Sequence, residues 1–335
     1  MINTLRLGSE SFPVNIIQGP LAGISCAPFR RLSWEYSKPA FSYTEMISCK
    51  TLLYKVRSQE RFIKKHPLEG SVGFQLSGRD PGEVGEATKR VTDCGADLID
   101  LNCGCPVTKI RTRGAGSSLL KDPMQIFQLI TAMKRNTHVP VSIKIRVDGH
   151  SKDNYNKDIV SAVNDSGADF ITVHGRHWTE HYETSCNYEQ IQYFVENLKI
   201  PVIGNGDVSC IDSLKKMYAT GCAGVMVGRA GVGQPWLIGK LIAEMQQKPF
   251  IIPAAPVIGN LFITHITELV ELLQSEKFAV IQARKFTKYY ARSLEHRAEI
   301  VQEINGCETL DSFVAICLRY FGLGNSRVSD ISLDG

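Results

Sequence analysis

Short apolar runs recur along the first 230 residues, each bounded by glycine, proline or polar turn residues and separated by segments long enough for a helix. Eight of these runs predict strands, at about residues 15–19, 41–45, 70–76, 97–102, 140–146, 169–174, 201–205 and 224–228. Parallel strands need crossover helices, and eight of them close a sheet without leaving edges. The pattern therefore predicts a (β/α)8 TIM barrel, with an open doubly wound sheet as the alternative.

The pattern changes after about residue 245. Residues 246–257 have the composition of a linker, and the chain beyond them shows the three- and four-residue apolar spacing of helices. We therefore predict a barrel over residues 1–245 and a small helical domain over residues 258–335. Three basic residues at i, i+4 and i+8 of one predicted helix would share its polar face: Arg284, Lys288 and Arg292. They are candidate phosphate contacts, and a solvated helix face is the alternative.

Composition limits the remaining classes. The 335 residues are 43% apolar and 21% charged, which excludes collagen, a coiled coil and wholesale disorder. The net charge of +4 permits a polyanionic partner without requiring one. The chain has neither a long apolar span nor a secretory signal, so we expect it in the cytoplasm. Its ten cysteines contain no CxxC pair, which predicts reduced thiols and no metal site.

Polar residues follow most of the predicted strands. In a (β/α)8 barrel the reactive groups come from the C-terminal ends of the strands. Two glycine-bearing turns there, 204–207 and 228–229, suit a phosphate held by backbone N–H groups beside an arginine. Gln75, Lys144 and His174 end three other strands and would suit a flavin ring, since a lysine near its pyrimidine edge stabilises the reduced form.

One cysteine stands out from the rest. Cys105 precedes a proline in the loop after the fourth predicted strand, close to the basic residues Lys109, Arg111 and Arg113. A thiol beside lysine and arginine can act as a nucleophile or a proton donor. A buried small hydrophobe is the alternative for most free cysteines, and we apply it to Cys103.

The segment DLNCGCP at 100–106, followed by GAGSSLL at 114–120, resembles the active-site signature of the tRNA-dihydrouridine synthases. Seven further motifs stand in the family's order: GPLAG at 19–23, TEM at 44–46, QLSG at 75–78, IKIR at 143–146, VHGR at 173–176, GNGD at 204–207 and MVGR at 226–229. The similarity spans about residues 12–245 and resumes more weakly in the tail, which leans toward the bacterial B-type branch.

The resemblance implies an FMN-binding barrel that is reduced by NADPH or NADH and then acts on tRNA. A uridine would flip out of the tRNA onto the flavin, with hydride passing from N5 to C6 and a proton from Cys105 to C5. Carried over motif by motif, the FMN-binding residues are Pro20, Leu21, Ala22, Gln75, Lys144, His174, Asn205, Gly206, Asp207, Gly228 and Arg229. The tRNA-binding residues are Asn102, Arg146, Arg176, Lys109, Arg111, Arg113, Arg284, Lys288 and Arg292.

Two stretches depart from the family pattern. The usual Ala-Pro-Met opening is Gly19-Pro20-Leu21 here, and residues 177–182 (HWTEHY) are unusual in composition. Three other functions remain open from the residues alone. They are a flavin enzyme acting on a free pyrimidine, a tRNA-binding protein that keeps flavin for stability, and a flavin-free phosphosugar isomerase.

Overall fold

A closed parallel barrel forms the first part of the chain in the computed structural model, which describes residues 1–55, 60–149 and 154–323. The strands are β1 (Leu5–Leu7), β2 (Glu10–Phe12), β3 (Ile16–Gln18), β4 (Ser42–Tyr43), β5 (Ile47–Ser48), β6 (Val72–Ser77), β7 (Leu98–Cys103), β8 (Val141–Arg146), β9 (Phe170–His174), β10 (Val202–Asn205) and β11 (Gly224–Val227). Strands β3, β4 and β6 to β11 pair in parallel around a ring, which the β4–β6 and β11–β3 pairs complete. The predicted (β/α)8 barrel is confirmed, and the open sheet is excluded.

Helices connect these strands and cover the outside of the ring. They are α1 (Ala27–Ser37), α2 (Cys49–Tyr54), α3 (Glu60–Ile63), α4 (Pro81–Asp93), α5 (Thr108–Arg111), α6 (Pro123–Arg135), α7 (Asn156–Ser166), α8 (Tyr188–Asn197), α9 (Ile211–Tyr218) and α10 (Leu237–Met245). The side chains of Asp80, Asp122 and Asn187 cap α4, α6 and α8 by accepting a backbone N–H of the first turn. These caps fix the residue at which each helix begins.

An N-terminal hairpin closes one end of the barrel. Strands β1 and β2 pair antiparallel, and the sequence pattern did not predict them because their sequences, LRL and ESF, hold few apolar residues. Leu5, Leu7 and Phe12 are buried in one cluster with Leu98 and Phe170, the first residues of β7 and β9. The hairpin therefore covers the N-terminal ends of the strands, which leaves the C-terminal ends for chemistry.

The chain divides into two compact units, residues 1–231 with 236–249, and residues 232–235 with the chain from 250 onward. The second unit contains α11 (Ala255–Leu273), α12 (Glu276–Tyr290), α13 (Arg297–Gly306) and α14 (Leu310–Phe321). Helix α11 begins inside the segment predicted as a linker. It is the one described helix long and apolar enough to span a membrane, but it packs against α12 and α14 and buries residues such as Phe262 and Ile266. Its apolar face forms the core of the helical unit.

Candidate active site

The residues singled out at the strand ends meet at the C-terminal end of the barrel. Register brings neighbouring strands level there, because Asn102 is paired with Lys144, and His174 is paired with both Arg146 and Asn205. The glycine-bearing turns 204–207 and 228–229 follow β10 and β11 at the same end. Pro20, Leu21 and Ala22 follow β3, where the N–H of Gly19 donates to the carbonyl of Val227 at 2.8 Å.

Two buried side-chain amides connect β6 and β7. The Nε2 of Gln75 donates to the Oδ2 of Asp100 at 2.8 Å, and the Nδ2 of Asn102 donates to the Oε1 of Gln75 at 2.8 Å. The Oδ1 of Asn102 then accepts the backbone N–H of Cys105 at 3.0 Å. Each amide thus has a defined orientation, and the cysteine is attached to the end of β7 by its backbone.

The loop that carries Cys105 is held on a second side. The carbonyl of Cys105 accepts the backbone N–H of Ser117 at 3.0 Å, and its thiol is half-buried at the rim of the barrel. Gly116 has a φ of +63°, and a Cβ atom there would lie 2.8 Å from the Cys105 carbonyl oxygen. Cys103, by contrast, is fully buried, and burial raises the pKa of its thiol. Of these two cysteines, only Cys105 is open to a substrate.

Positive charge collects at this end of the barrel. The Nζ of Lys144 donates to the Oδ1 of Asn205 at 3.1 Å, and burial together with Arg146 lowers the pKa of Lys144 to about 8. Arg146 donates to the carbonyl of His177 at 2.9 Å, and the guanidinium of Arg229 lies 3.5 Å from the ring centre of Tyr182. Within the described residues, Lys144, Arg146 and Arg229 form no ion pair with a carboxylate. This excess of positive charge suits an anionic ligand.

His174 lies among these cations. Burial, followed by the charges of Lys144 and the nearby arginines, holds the pKa of His174 well below its usual value, so the ring is neutral at pH 7. The Nη1 of Arg176 lies 3.3 Å from the Nε2 of His174. A guanidinium only donates, so Nε2 accepts and the neutral ring carries its proton on Nδ1.

Arg176, which the resemblance assigns to the tRNA, is bound to groups of the protein itself. The side chain is buried, and its donors face the carboxylate of Asp207 and the carbonyls of Tyr182 and Thr184. In this structure it anchors the unusual segment after β9 to the turn after β10. The carboxylate of Asp207 is occupied in the same way, since it also accepts the backbone N–H of Cys186 at 2.9 Å.

The turns after β10 and β11 leave room for a phosphate group. Gly206 has a φ of +138°, and a Cβ atom there would lie 2.5 Å from the Sγ of Cys186, so this position requires glycine. A Cβ atom at Gly228 would meet nothing within 4 Å, which shows open space beside Arg229. Open space, glycine backbone and unpaired cations together fit the phosphate of FMN and the negative charge that its ring carries when reduced.

The basic loop after Cys105 divides into free and engaged residues. Lys109 and Arg113 are exposed, whereas the guanidinium of Arg111 lies 3.3 Å from the ring centre of Trp178. Trp178 and Tyr182 were not among the predicted site residues. Their signal was the aromatic content of residues 177–182, the stretch that departs from the family pattern.

The three basic residues Arg284, Lys288 and Arg292 do not share one helix face as predicted. Helix α12 ends at Tyr290, so Arg292 lies beyond it in the 3-10 turn Ala291–Ser293. Arg292 donates to the carbonyls of Tyr289 and Val232, and Arg284 donates to the carbonyl of Cys307. Lys288 is exposed. The three residues do not form one helical row, because the helix ends before the third.

Comparison with known proteins gives consistent matches over most of the chain. The family model described as dihydrouridine synthase (Dus) matches residues 17–321. A tRNA-dihydrouridine synthase B from Pasteurella multocida (strain Pm70) is 30% identical over 304 residues, which cover 90% of this chain and 91% of the relative. A protein of the same name from Pseudomonas aeruginosa is 29% identical, with 96% of each chain covered.

Solved structures show the same barrel at lower sequence identity. Morphinone reductase in complex with tetrahydroNAD is 11% identical, with a TM-score of 0.54. The match covers 72% of this chain and 90% of that protein. At this identity, the likeness shows that the fold is shared.

Proposed function

Because the chain belongs to the dihydrouridine synthase family, we propose that it reduces a uridine of tRNA to 5,6-dihydrouridine, with FMN in the barrel and NADPH or NADH as the reductant. The observation that carries this proposal is the attachment of Cys105 to Asn102 at the cationic end of the barrel. The proposal is supported because this thiol lies at the same end of the barrel as the positive charge and the open space that a flavin phosphate and ring require.

The two halves of the reaction fall to different groups. When bound, FMN would supply the hydride that is added to C6 of the uracil. The thiol of Cys105 would give its proton to C5, so that one hydride and one proton together saturate the C5–C6 double bond. General acids placed in this way contribute about 100- to 10,000-fold to a rate.

The other residues at the C-terminal end of the barrel would hold the reactants. Lys144 would supply a positive charge to the flavin ring, and the neutral ring of His174 would offer its Nδ1 proton as a donor. Gly206, Gly228 and Arg229 would hold the phosphate, and the backbone after β3 would bind the ring. Asn102 accepts the backbone N–H of Cys105, and Arg146 interacts electrostatically with the Cys105 thiol, so these two residues are our candidates for contacts to the uridine.

Binding of tRNA must offset the cost of extruding a base, which is a few kcal/mol. The exposed Lys109 and Arg113 in the barrel unit and Lys288 in the helical unit are suited to phosphate contacts. We assign tRNA binding to the helical unit as well as to the barrel. A polyanionic RNA substrate and ten free cysteines fit an enzyme of the cytoplasm.

The test compares the purified, FMN-loaded protein with its Cys105→Ala and Cys105→Ser variants on unmodified tRNA. The variants should keep the flavin absorbance and the reduction of flavin by the nicotinamide cofactor. Dihydrouridine, measured by nucleoside mass spectrometry, should fall by about 100-fold or more. Undiminished product in both variants would rule out the general-acid role, and activity on free uracil but not on tRNA would favour a free-pyrimidine reductase.

A further inference from the structure

We propose that Asp100 is a positioning residue for Cys105, acting through the side-chain amides of Gln75 and Asn102. The inference rests on the proposed function, in which Cys105 delivers a proton. It concerns a residue that lies beneath the site and has no direct contact with the thiol. Its basis is the direction of three consecutive hydrogen bonds.

The first link is set by the chemistry of a carboxylate. Asp100 lies in β7 and is 0% exposed. Its Oδ2 accepts from the Nε2 of Gln75 at 2.8 Å, and its Oδ1 accepts from the Oγ of Ser142 at 2.7 Å. An ionised carboxylate has no donor, so the nitrogen end of the Gln75 amide must face it. The charge at position 100 therefore decides which way the Gln75 amide points.

The direction then passes from one amide to the next. With its nitrogen on Asp100, Gln75 presents Oε1 to Asn102, whose Nδ2 donates to it at 2.8 Å. The Oδ1 of Asn102 is left to accept the backbone N–H groups of Gly104 at 3.3 Å and Cys105 at 3.0 Å. If both amides were reversed, an NH2 group would face the N–H of Cys105, donor against donor.

This direction requires Asp100 to be ionised. The titratable groups that interact with Asp100 are Tyr43 on β4, Lys144 on β8 and Cys103 on β7. Burial raises the pKa of Asp100 to about 6, while the hydrogen bonds from Ser142 and Gln75 and the charge of Lys144 oppose that rise. Asp100 is thus mainly ionised at pH 7. In acid it gains an O–H that can donate to the oxygen end of Gln75.

The principal test variant is Asp100→Asn. An asparagine offers one donor and one acceptor, and the Ser142 hydroxyl can exchange its own roles, so both orientations of Gln75 become possible. In single turnovers of the reduced enzyme with saturating tRNA, we expect dihydrouridine formation to slow by about 10- to 100-fold, the range that a misplaced group costs. The fall of the wild-type rate below about pH 6 should disappear in this variant. Flavin reduction by the nicotinamide cofactor should slow less than dihydrouridine formation, because the proton of Cys105 is used only in the second half of the reaction.

A second measurement does not depend on turnover. Alkylation of Cys105 by iodoacetamide, followed by peptide mass spectrometry, reports how the thiol is held in the flavin-loaded protein. We expect Asp100→Asn to alkylate at least about threefold faster, because its loop loses a defined acceptor. An unchanged alkylation rate together with an unchanged acid dependence would overturn the proposal.

Two neighbouring variants provide controls. Tyr43→Phe removes a hydroxyl 3.3 Å from the Oγ of Ser142 but leaves both donors to Asp100, so it should match wild type in both measurements. Ser142→Ala keeps the carboxylate but removes one donor, so the decline in the rate of dihydrouridine formation at low pH should move to higher pH. If Asp100→Asn does not fold, the proposal is overturned when the rate of Ser142→Ala declines at the same pH as that of the wild type. A wild-type enzyme that makes no dihydrouridine refutes the proposed function instead, and the alkylation rates still test the positioning.

Discussion

The guanidinium of Arg176 donates to both carboxylate oxygens of Asp207, at 2.6 and 2.7 Å. The Arg176 side chain is 2% exposed, whereas that of Asp207 is 35% exposed. This ion pair joins the loop after β9 to the turn after β10, which is one side of the proposed phosphate site. Two residues that the motifs assigned to different ligands therefore bind each other.

Removal of this ion pair should destabilise the protein. We expect Arg176→Ala to lower the free energy of unfolding by about 3 kcal/mol, the lower end for a broken buried pair, because Asp207 remains partly solvated. Urea denaturation would measure the change. The exposed pair Lys277–Glu308 offers a comparison, since Lys277→Ala should cost less than about 1 kcal/mol. Equal losses in the two variants would show that the Arg176 pair is no more than a surface contact.

Gly116→Ala should displace the loop that carries Cys105. The variant combines an unfavourable positive φ with a Cβ atom 2.8 Å from the Cys105 carbonyl oxygen. Gly95→Ala is the matched control, because Gly95 has a φ of +82° and nothing within 4 Å of an added Cβ atom. Both should lose about 1–2 kcal/mol of stability for the backbone conformation. Gly116→Ala should lose about 1–3 kcal/mol more from overpacking, together with dihydrouridine formation. If the two variants unfold at the same urea concentration and keep full activity, the close approach at Gly116 is not rigid.

His174 should make stability depend on pH. The unfolded chain binds a proton at this histidine near pH 6.5, whereas burial and the surrounding cations keep the folded residue neutral to lower pH. The unfolded state therefore binds more protons below pH 6.5, and stability is lost as the pH falls, by up to about 1.4 kcal/mol per pH unit. His174→Asn should reduce that decline, as measured by urea titrations at about pH 7 and pH 5.

The exposed His138 provides the comparison for this measurement. His138→Asn should leave the decline in stability as it is in wild type. The raised pKa of Asp100 acts in the opposite direction, since stability from its protonated form is lost as the pH rises through about 6. That contribution is present in all three proteins and cancels in the comparison. Parallel declines in wild type and His174→Asn would contradict the prediction.

The salt dependence of tRNA binding should identify the residues that bind phosphates. Lys109 and Arg113 are exposed beside the Cys105 loop. Replacing both with glutamine should weaken binding and reduce the log–log slope against salt by about 0.7–0.9 for each phosphate that is no longer neutralised. The control is Lys89→Gln with Lys215→Gln, which removes the same charge from exposed positions on α4 and α9. An equal change in slope for both double variants would mean that net charge, not these two residues, sets the dependence.

The pattern of apolar runs in the sequence was sufficient to predict the barrel. Each of its eight strands carries an apolar run long enough to detect, and prolines or glycines mark their limits. The hairpin of β1 and β2 was not predicted, because its strands, LRL and ESF, hold only three apolar residues between them. The end of α12 was not predicted, because the spacing of Arg284, Lys288 and Arg292 continues past Tyr290, where the helix ends.

The fold, the family resemblance and the position of Cys105 at the end of a strand could be predicted from the sequence, because they depend on residue type and local spacing. Which basic residues are free could not be predicted, because it depends on tertiary contacts. Arg176 meets Asp207, Arg111 meets Trp178, and Arg292 meets the Val232 carbonyl. A guanidinium takes whichever acceptor or ring lies within reach, and these partners come from 31, 67 and 60 residues away along the chain. Spacing in the sequence places such residues at one end of the barrel or on one helix, but packing selects their partners.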